Sequence, residues 1–491
     1  MAHVTDGLPP SLVWKYFEEI SAIPRGSKNE AAIAKYVMKT AKSLGLAAKQ
    51  DKAGSVLVKK PASAGHENKP SVCLQGHLDM VCEKTPETKH DFLKDPLKLK
   101  IVSHPPDSGD AWLMADGTTL GADNGIAVAA NLAIMEDKTL EHGPLEFLFT
   151  IDEETGLTGA NKLEPGFVES KILMNLDSEE EGELFVGCSG GRDTTGYWPA
   201  KFETQPKGTT AWSITISGLR GGHSGLEIDK NRGNAVKILN RLLIAATDAG
   251  ARVSSMNGGS KRNAIPRDAT AVIVVPNAKA DETRVAVEQL AAAIAAEMST
   301  VEPNFAVGIA RVKGARNVKV MSRGLQKKIL QTIAALPHGV MKMSSDIPGL
   351  VETSTNVAVL TTDKKSVTLA TSQRSSVASE IQEIAQTVRV IFTLGGADVR
   401  ATDGYPGWKP DLASPILAIA KKTYKQMFGK EPAVKAVHAG LECGIIGEKY
   451  PGMDMVSFGP TMTGVHSPDE KLEIASVPKF YDFVAGILKN V

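Results

Sequence analysis

The sequence predicts an α/β protein in which a doubly wound, mixed sheet is interrupted by an inserted α+β domain. Short apolar runs alternate with longer helical stretches up to about residue 180, a pattern typical of sheets covered by helices. An apolar run of the same kind returns only after residue 450, so the chain between them must leave the sheet and come back. At 491 residues the chain also exceeds the usual size of one hydrophobic core.

Periodicity predicts the elements of the main domain. Ser11 to Ile20 and Glu30 to Leu44 are predicted helices, separated by Pro24-Arg25-Gly26-Ser27. The segment Ile126 to Met135 is a third, almost wholly apolar helix. The predicted strands are short apolar runs, and they cover Ser55-Leu57, Val72-Leu74, Leu145-Ile151, Ile172-Leu176 and Met453-Phe458.

The inserted domain is predicted over residues 191–402, between the segments 1–190 and 403–491 that build the main domain. Its pattern is that of two α+β units in succession. Its edge strands and an Ala/Val-faced helix would suit either a dimerisation surface or an ordinary solvent-facing layer. Its predicted strands are 210–216, 269–275, 351–360, 366–371 and 397–401, and its predicted helices are 233–249, 282–297, 325–336 and 380–392.

Acids and histidines follow four strands of the main domain, and one more acid precedes a helix. Ligands bind at the carboxyl ends of strands in open α/β sheets, so a set of such side chains there predicts a metal centre. The set consists of His77 and Asp79, Asp123, Asp152-Glu153-Glu154, Asp177 and His466.

The residue types fit a pair of metal ions. If Asp123 bridges two ions, each ion has three protein ligands and one open position, as catalytic zinc does. Two divalent cations would also balance three carboxylates and one hydroxide, and unpaired charge in a cleft is costly. The five ligands of this hypothesis are His77, Asp123, Glu154, Asp177 and His466.

Two further acids are predicted to support the ligands. Residues two apart in an extended segment point the same way, so Asp79 could accept the second ring N–H of His77. Adjacent carboxylates raise one another's pKa unless a cation is near. Glu154 is therefore predicted to bind metal while Glu153 acts as the general base.

Each of these motifs also has an ordinary structural interpretation. An isolated His-x-Asp is commonly a surface hydrogen-bonded pair, and Glu-Glu after a strand is commonly a solvated turn.

A competing motif, Gly187-Cys188-Ser189-Gly190-Gly191, matches the nucleophile elbow of serine hydrolases, which requires a helix after the serine. The following residues to Pro199 are rich in β-branched residues and disfavour a helix. The joint placement of acids and histidines at strand ends favours the metal centre.

Composition narrows the class of partner. Lys+Arg and Asp+Glu both number 56, which gives no electrostatic case for a nucleic acid or membrane partner. No run reaches the roughly 18 apolar residues of a membrane span, and no secretory signal is visible near Met1. The four cysteines lack Cys-x-x-Cys spacing. We therefore expect a reduced, cytoplasmic protein.

Long motifs in the chain resemble the co-catalytic metallopeptidases that include peptidase T and carnosinase, and in particular the aminoacyl-histidine dipeptidase branch. The resemblance covers essentially the whole chain. The motifs that carry it are Gly76-His77-Leu78-Asp79, Gly121-Ala122-Asp123-Asn124-Gly125, Glu153-Glu154, Asn175 to Gly182, Gly221-Gly222-His223-Ser224-Gly225, Arg262-Asn263-Ala264-Ile265-Pro266-Arg267, His438 to Gly444 and His466-Ser467-Pro468-Asp469-Glu470.

The resemblance implies a role for each matching residue. His77 and Asp177 would hold one zinc, Glu154 and His466 the other, and Asp123 would bridge them. Cobalt or manganese could replace zinc. Asp79 would orient His77, and Glu153 would be the general base and later the proton donor. The substrate-binding residues implied are His223, Asn263, Arg374 and His438.

The resemblance implies a homodimer formed through the inserted lid domain, and a small dipeptide of Xaa-His or carnosine type as substrate, hydrolysed by a zinc-activated water. His223 would polarise the scissile carbonyl, in some relatives from the partner subunit; it could instead be a glycine-loop histidine without substrate contact. A deacylase on the same scaffold and a catalytically silent binding protein are the alternative functions. Retention of Glu153 and all the ligands argues against a silent protein.

Overall fold

A computed structural model describes residues 4–106, 108–315 and 317–491. Contacts divide the chain into two compact units. The first comprises Met1–Gly187, Pro410–Ala436 and Leu441–Val491, and the second comprises Cys188–Lys409 and Val437–Gly440. The second unit therefore includes a short later segment as well as the long insertion. That it serves as a lid and a dimerisation domain stays a prediction.

The N-terminal part of the first unit alternates helices and strands. Helix α1 buries Val13, Trp14, Phe17 and Ile20, which lie on one face at helical spacing. The elements are α1 (Ser11–Ser21), α2 (Ala31–Ser43), β1 (Ala47–Gln50), β2 (Val56–Lys60), β3 (Val72–His77), β4 (Leu99–Ser103), β5 (Ala111–Ala115), α3 (Ala122–Glu136), β6 (Leu145–Thr150), α4 (Glu153–Gly156), α5 (Thr158–Lys162), β7 (Ile172–Asn175) and β8 (Glu183–Cys188).

The second unit contains long antiparallel strands with four helices among its described residues. Its helix α6 begins after Asn234, whose side chain accepts hydrogen bonds from the N–H groups of Val236 and Lys237. The elements are β9 (Gly190–Pro199), β10 (Phe202–Glu203), β11 (Thr209–Ser217), β12 (Gly222–His223), α6 (Ala235–Asp248), β13 (Arg252–Gly258), β14 (Ala264–Ile265), β15 (Ala269–Pro276), α7 (Ala280–Glu297), β16 (Ala306–Arg311), β17 (Val320–Met321), α8 (Arg323–Ala335), β18 (Gly339–Met343), β19 (Val351–Thr362), β20 (Ser366–Ser375), α9 (Ala378–Leu394) and β21 (Asp398–Ala401).

The chain then returns to the first unit. Helix α10 begins with Pro415, and the Ser414 side chain caps it by accepting the Leu417 N–H. The remaining elements are α10 (Pro415–Phe428), β22 (Ala433–Val437), α11 (Glu442–Lys449), β23 (Asp454–Ser457), β24 (Met462–Thr463), β25 (Lys471–Glu473) and α12 (Ser476–Asn490).

The main sheet of the first unit has eight strands in the order β1-β2-β6-β3-β7-β23-β8-β22. Strands β6, β3, β7 and β23 run parallel to one another, whereas β1 pairs antiparallel with β2, β2 with β6, and β8 with β23. Every residue of β3 and β6 is buried, as expected for parallel strands covered on both faces. The carboxyl ends of the four parallel strands therefore lie at one edge of the sheet, and the predicted mixed α/β class is confirmed.

The second unit has one nine-stranded sheet rather than two separate α+β layers. Its order is β16-β11-β15-β13-β19-β20-β9-β21, with β18 paired to β19. The two predicted halves meet where Gly258 of β13 pairs with Leu360 of β19. A single pair of partners gives no periodic signal in the sequence, which is why the sequence analysis predicted two units in succession.

Candidate metal centre

The carboxyl edge of the main sheet carries the predicted metal ligands. His77 is the last residue of β3, and Asp177 lies two residues beyond β7. Glu154 lies in α4, directly after β6, and Asp123 lies in the first turn of α3. His466 lies in the loop between β24 and β25. The structure thus brings together side chains that are up to 389 residues apart (466 − 77) in the sequence.

Two groups of three donors share Asp123. In the first, the His77 Nε2 lies 3.0 Å from Asp123 Oδ1 and 3.5 Å from Asp177 Oδ1. In the second, the His466 Nε2 lies 3.1 Å from Asp123 Oδ2 and 3.0 Å from Glu154 Oε2. The two oxygens of one carboxylate therefore face two different imidazoles, which is the arrangement of a bridging ligand.

These separations suit zinc. Donors at the usual Zn–N and Zn–O distances of about 2.0–2.2 Å in a tetrahedron lie roughly 3.4 Å from each other. The observed separations of 3.0–3.5 Å are close to that value. The buried Glu154 Oε1 has no hydrogen-bond partner among the described residues, so it is available to a cation as well. The residues present therefore fit a pair of metal ions.

Asp79 connects the ligands to the predicted general base. Its Oδ1 lies 3.4 Å from the His77 Nδ1, on the side of the ring that faces away from Asp123. The same carboxylate accepts the backbone N–H groups of Glu153 at 3.0 Å and Glu154 at 3.2 Å. Asp79 therefore fixes the turn that carries the two glutamates and lies beside the imidazole. The hydroxyl of Ser27 donates to its second oxygen at 2.8 Å.

The electrostatic field of the first group favours positive charge. Burial lowers the pKa of His77, but the nearby carboxylates, Asp177 foremost, outweigh burial and hold that pKa well above its usual value. Burial raises the pKa of Asp177 to about 6, with His77 opposing the rise. The same field that holds a proton on the imidazole attracts a divalent cation.

Glu153 belongs to neither of the two groups that share Asp123, although one of its oxygens lies within 4.8 Å of donor atoms of His77 and Glu154. Burial raises the pKa of Glu153 well above its usual value, and neighbouring carboxylates, including those of Asp177 and Glu442, add to the rise. A carboxylate with a raised pKa is a stronger proton acceptor. Glu153 is therefore suited to take a proton from water and to return it.

Three residues that the sequence analysis did not single out hold the ligands in place. Asn124 accepts the His77 N–H at 3.0 Å and donates to the carbonyl of Leu176 at 2.8 Å, which joins α3 to the ends of β3 and β7. Arg25 is fully buried and donates to the carbonyl oxygens of Asp79 and Gly121. Nothing in the local sequence around Arg25 distinguishes it from a solvated loop residue.

Glu470 is the third such residue. Its carboxylate accepts the backbone N–H groups of Leu120, Gly121 and Ala122 at 2.8–2.9 Å and that of Asp123 at 3.3 Å. Glu470 therefore fixes the turn that aims the bridging aspartate. Its place in the motif that begins at His466 was the only available sequence signal.

The predicted substrate-binding residues all belong to the second unit. His223 and Asn263 line a groove of about 790 Å³ within that unit. The His223 Nδ1 accepts the N–H groups of Gly225 at 3.2 Å and Leu226 at 3.1 Å. Since Nδ1 accepts, the ring proton of the neutral imidazole lies on Nε2, which can donate a hydrogen bond. Burial lowers the pKa of His223 to about 4, which keeps the ring neutral.

Arg374 and His438 are buried close to His223. The Arg374 Nη1 donates to the Tyr405 hydroxyl at 3.0 Å, and the His438 Nε2 lies 2.7 Å from the Ser354 hydroxyl. Burial, together with the charge of Arg374, lowers the pKa of His438 to about 3. Among the described residues, no carboxylate forms an ion pair with Arg374. A buried guanidinium without an acidic partner is suited to an anionic ligand.

The competing serine motif lacks the structure that it needs. Ser189 is followed by the strand β9, not by a helix. A nucleophile elbow therefore does not form at this position.

Comparisons with known proteins identify the family of the chain. The sequence profile of peptidase family M20/M25/M40 matches residues 73–490. A protein of Escherichia coli (strain K12) named cytosol non-specific dipeptidase is 40% identical over 485 residues, which are 99% of this chain and 98% of that protein.

Solved structures share the fold. The crystal structure of aminoacylhistidine dipeptidase from Vibrio alginolyticus is 40% identical, covers 100% of this chain and 98% of its own, and has a TM-score of 0.90. The aminopeptidase PepT of Bacillus cereus ATCC 10987 is 17% identical over 98% of this chain and 99% of its own, with a TM-score of 0.56, and shows the fold alone. The resemblance inferred from the motifs is confirmed.

Proposed function

Because the chain belongs to peptidase family M20/M25/M40 and is a hydrolase of peptide bonds, we propose that it is a metal-dependent dipeptidase that cleaves Xaa-His and related dipeptides. The observation that carries the proposal is the shared aspartate: Asp123 faces His77 with one oxygen and His466 with the other. The substrate class is taken from the two relatives that are 40% identical over nearly the whole chain and are named as dipeptidases.

Two Zn²⁺ ions are proposed as the cofactors, with Co²⁺ or Mn²⁺ as substitutes. His77 and Asp177 would hold one ion, Glu154 and His466 would hold the other, and Asp123 would bridge them. Bound ions supply Lewis-acid polarisation of the substrate carbonyl and a water of lowered pKa. This assignment rests on the donor distances.

The protein's own residues supply the proton transfers. Glu153 accepts a proton from the attacking water and donates it to the leaving amine, so one carboxyl serves both halves of the reaction. Asp79 keeps the Glu153 backbone fixed through the hydrogen bond that it accepts at 3.0 Å. A fixed base avoids reorganisation at the moment of transfer.

The second unit is proposed to bind the ends of the substrate. The buried guanidinium of Arg374 and the neutral His438 would receive the terminal carboxylate of the dipeptide. The Nε2–H of His223 and the amide of Asn263 would donate to a substrate carbonyl oxygen. Recognition of the terminal carboxylate favours short peptides, so dipeptides should be preferred over tripeptides.

We also propose that the protein acts in the cytosol and forms a homodimer through its second unit. The E. coli relative is named as a cytosol protein. None of the helices in the described part of the chain has the length and hydropathy that a membrane span requires. Sedimentation equilibrium, with the isolated mass of 52.1 kDa as the reference, tests the dimer.

The proposed activity is tested with the chelated protein, to which zinc is then restored. Carnosine, other Xaa-His dipeptides, tripeptides and N-acyl amino acids are offered in parallel. We expect zinc-dependent release of histidine from the dipeptides and little cleavage of the tripeptides. Preferential cleavage of the N-acyl amino acids would show a deacylase instead.

A further inference from the structure

Glu442 is a fully buried acid that the proposed chemistry does not use. It is the first residue of helix α11 and its side chain has no exposed surface. Its Oε2 accepts hydrogen bonds from the Thr150 hydroxyl and from the Gln75 side-chain amide, both at 2.6 Å. A buried carboxyl of this kind is costly to desolvate, so its retention needs a reason.

The partners of Glu442 lie on the strands that carry the metal centre. Gln75 lies two residues before His77 on β3, and Thr150 is the residue of β6 that pairs with His77. Side chains two apart on a strand, and side chains of paired residues, point to the same face of a sheet. The hydrogen bonds of Glu442 are therefore made on the same face as His77, beside it at Thr150 and two residues before it at Gln75.

The network extends to a third strand. The Gln75 Oε1 accepts a hydrogen bond from the Asn175 side-chain amide at 2.5 Å. Asn175 pairs with Gln75 across β7 and β3 and lies two residues before Asp177. One chain of hydrogen bonds therefore runs from Glu442 to β6, β3 and β7. Strand β3 ends at His77, β6 leads into the Glu153-Glu154 turn, and β7 leads to Asp177.

We propose that Glu442 is a positioning residue that fixes the spacing of the strand-borne metal ligands and of the general base. It bridges β3 and β6 through its two accepted hydrogen bonds, and it reaches β7 through Gln75. Its two hydrogen bonds go to Thr150 and Gln75 and not to a proposed metal ligand, so the expected effect is on metal affinity and on turnover rather than on substrate binding.

The chain provides a matched control. Glu146 is another buried carboxyl on β6, four residues before Thr150 and hence on the same face at the other end of the strand. It also accepts several hydrogen bonds, from the N–H groups of Glu169 and Ser170 and from the Ser170 hydroxyl, at 2.7–2.9 Å. Removal of Glu146 should destabilise the fold without disturbing the carboxyl edge of the sheet.

The test compares Glu442→Ala, Glu442→Gln, Thr150→Val and Glu146→Ala with the wild type. Zinc affinity is measured by competition with a chromophoric chelator, and kcat and KM for a dipeptide are measured at saturating zinc. Loss of a side chain that orients ligands typically costs 10–100-fold in metal affinity or activity. For Glu442→Ala we expect losses of that size in zinc affinity and in kcat, with KM unchanged. For Glu146→Ala we expect wild-type zinc affinity and kcat.

The other variants separate positioning from general stability. Glu442→Gln retains an oxygen that can accept both hydrogen bonds, so we expect it to restore zinc affinity and kcat to within about threefold of wild type, well inside the 10–100-fold loss. If Glu442→Ala does not fold, Thr150→Val decides, because wild-type zinc affinity and kcat in that variant would overturn the proposal. Equal defects in Glu442→Gln and Glu442→Ala, or in Glu442→Ala and Glu146→Ala, would overturn it as well.

The inference rests on the proposed function for its kinetic measurement and on the proposed zinc pair for its affinity measurement. A wild-type protein without dipeptidase activity would contradict the proposed function, and the zinc affinities would still decide the role of Glu442.

Discussion

Asp79 holds two parts of the metal centre together, because its carboxylate faces the His77 imidazole and also accepts backbone hydrogen bonds from Glu153 and Glu154. The first relation was predictable from the sequence, since residues two apart at a strand end point the same way. The second was not, because it joins residues about 74 positions apart through the backbone. Side-chain spacing carries no information about a distant N–H group.

The same distinction explains which site residues the sequence revealed. The ligands were recognisable because four of them end or follow an apolar run and the fifth, Asp123, precedes an apolar helix. Glu470 and Asn124 were not assigned a role because their partners are backbone groups, some of them 347–350 residues away. Arg25 lies in the loop between α1 and α2 and is buried there, and its neighbours in the sequence give no sign of that burial.

Replacement of the proposed general base should separate catalysis from metal binding. Glu153→Gln removes the proton acceptor but leaves both three-donor groups intact. We expect kcat to fall by at least about 10²–10⁴-fold, the usual contribution of a general base, with two zinc ions still bound. Steady-state kinetics and metal analysis of one preparation test this, and near-wild-type kcat would remove Glu153 from the role.

Replacement of Arg374 should affect substrate binding. Arg374→Lys keeps the charge but loses the planar fork that binds a carboxylate through two hydrogen bonds. We expect KM for dipeptides to rise about tenfold or more, which is about 1.4 kcal/mol of binding, with a smaller change in kcat. Arg400→Lys, at a side chain that is 70% exposed, is the control. An unchanged KM would exclude a contact with the substrate.

Among the elements, those with a clear apolar pattern were predicted well, including short strands such as β7, whereas a short helix without such a pattern was not. The predicted helix Ser11 to Ile20 differs from α1 by one residue, and the strand Leu145-Ile151 differs from β6 by one residue. Helix α11, which carries Glu442, was not predicted. It has eight residues and contains Gly444 and Gly447, which lower helix propensity, so its formation depends on tertiary packing.

The turn before α3 depends on Glu470, and this dependence predicts a stability effect. Glu470→Ala would leave several buried N–H groups of the turn without an acceptor, at about 1–3 kcal/mol for each such group. We expect urea unfolding of the metal-free variant to show a loss of about 3 kcal/mol or more. The exposed neighbour Asp469 offers a control, since Asp469→Ala should change stability by less than about 0.5 kcal/mol. Equal stabilities of the two variants would contradict this account of the turn.

The whole molecule consists of two units that carry different sets of proposed functional residues. The first contains all the proposed metal ligands and the general base, and the second contains the proposed substrate-binding residues. The excursion of the chain between them was predictable because strand-end ligands lie both before residue 180 and after residue 450. The inclusion of Val437–Gly440 in the second unit could not be predicted, because a segment of four residues is too short to show a change in composition.

Metal binding should stabilise the protein as a whole. A ligand that binds only the folded state adds about 4 kcal/mol at a concentration 1,000 times its Kd. We expect chelation to lower the melting temperature and zinc to restore it. The Asp123→Asn substitution weakens both three-donor groups, so zinc should raise the melting temperature of that chelated variant only slightly. Identical melting temperatures with and without zinc would show that the protein does not bind the ion in its folded state.

The shared aspartate is tested most directly by anomalous diffraction above the zinc edge, from crystals grown with zinc. Our account predicts two peaks about 3.5–4 Å apart, one on each side of the Asp123 carboxylate, with His77 and Asp177 at one peak and Glu154 and His466 at the other. A single peak, or zinc bound away from Asp123, would contradict it.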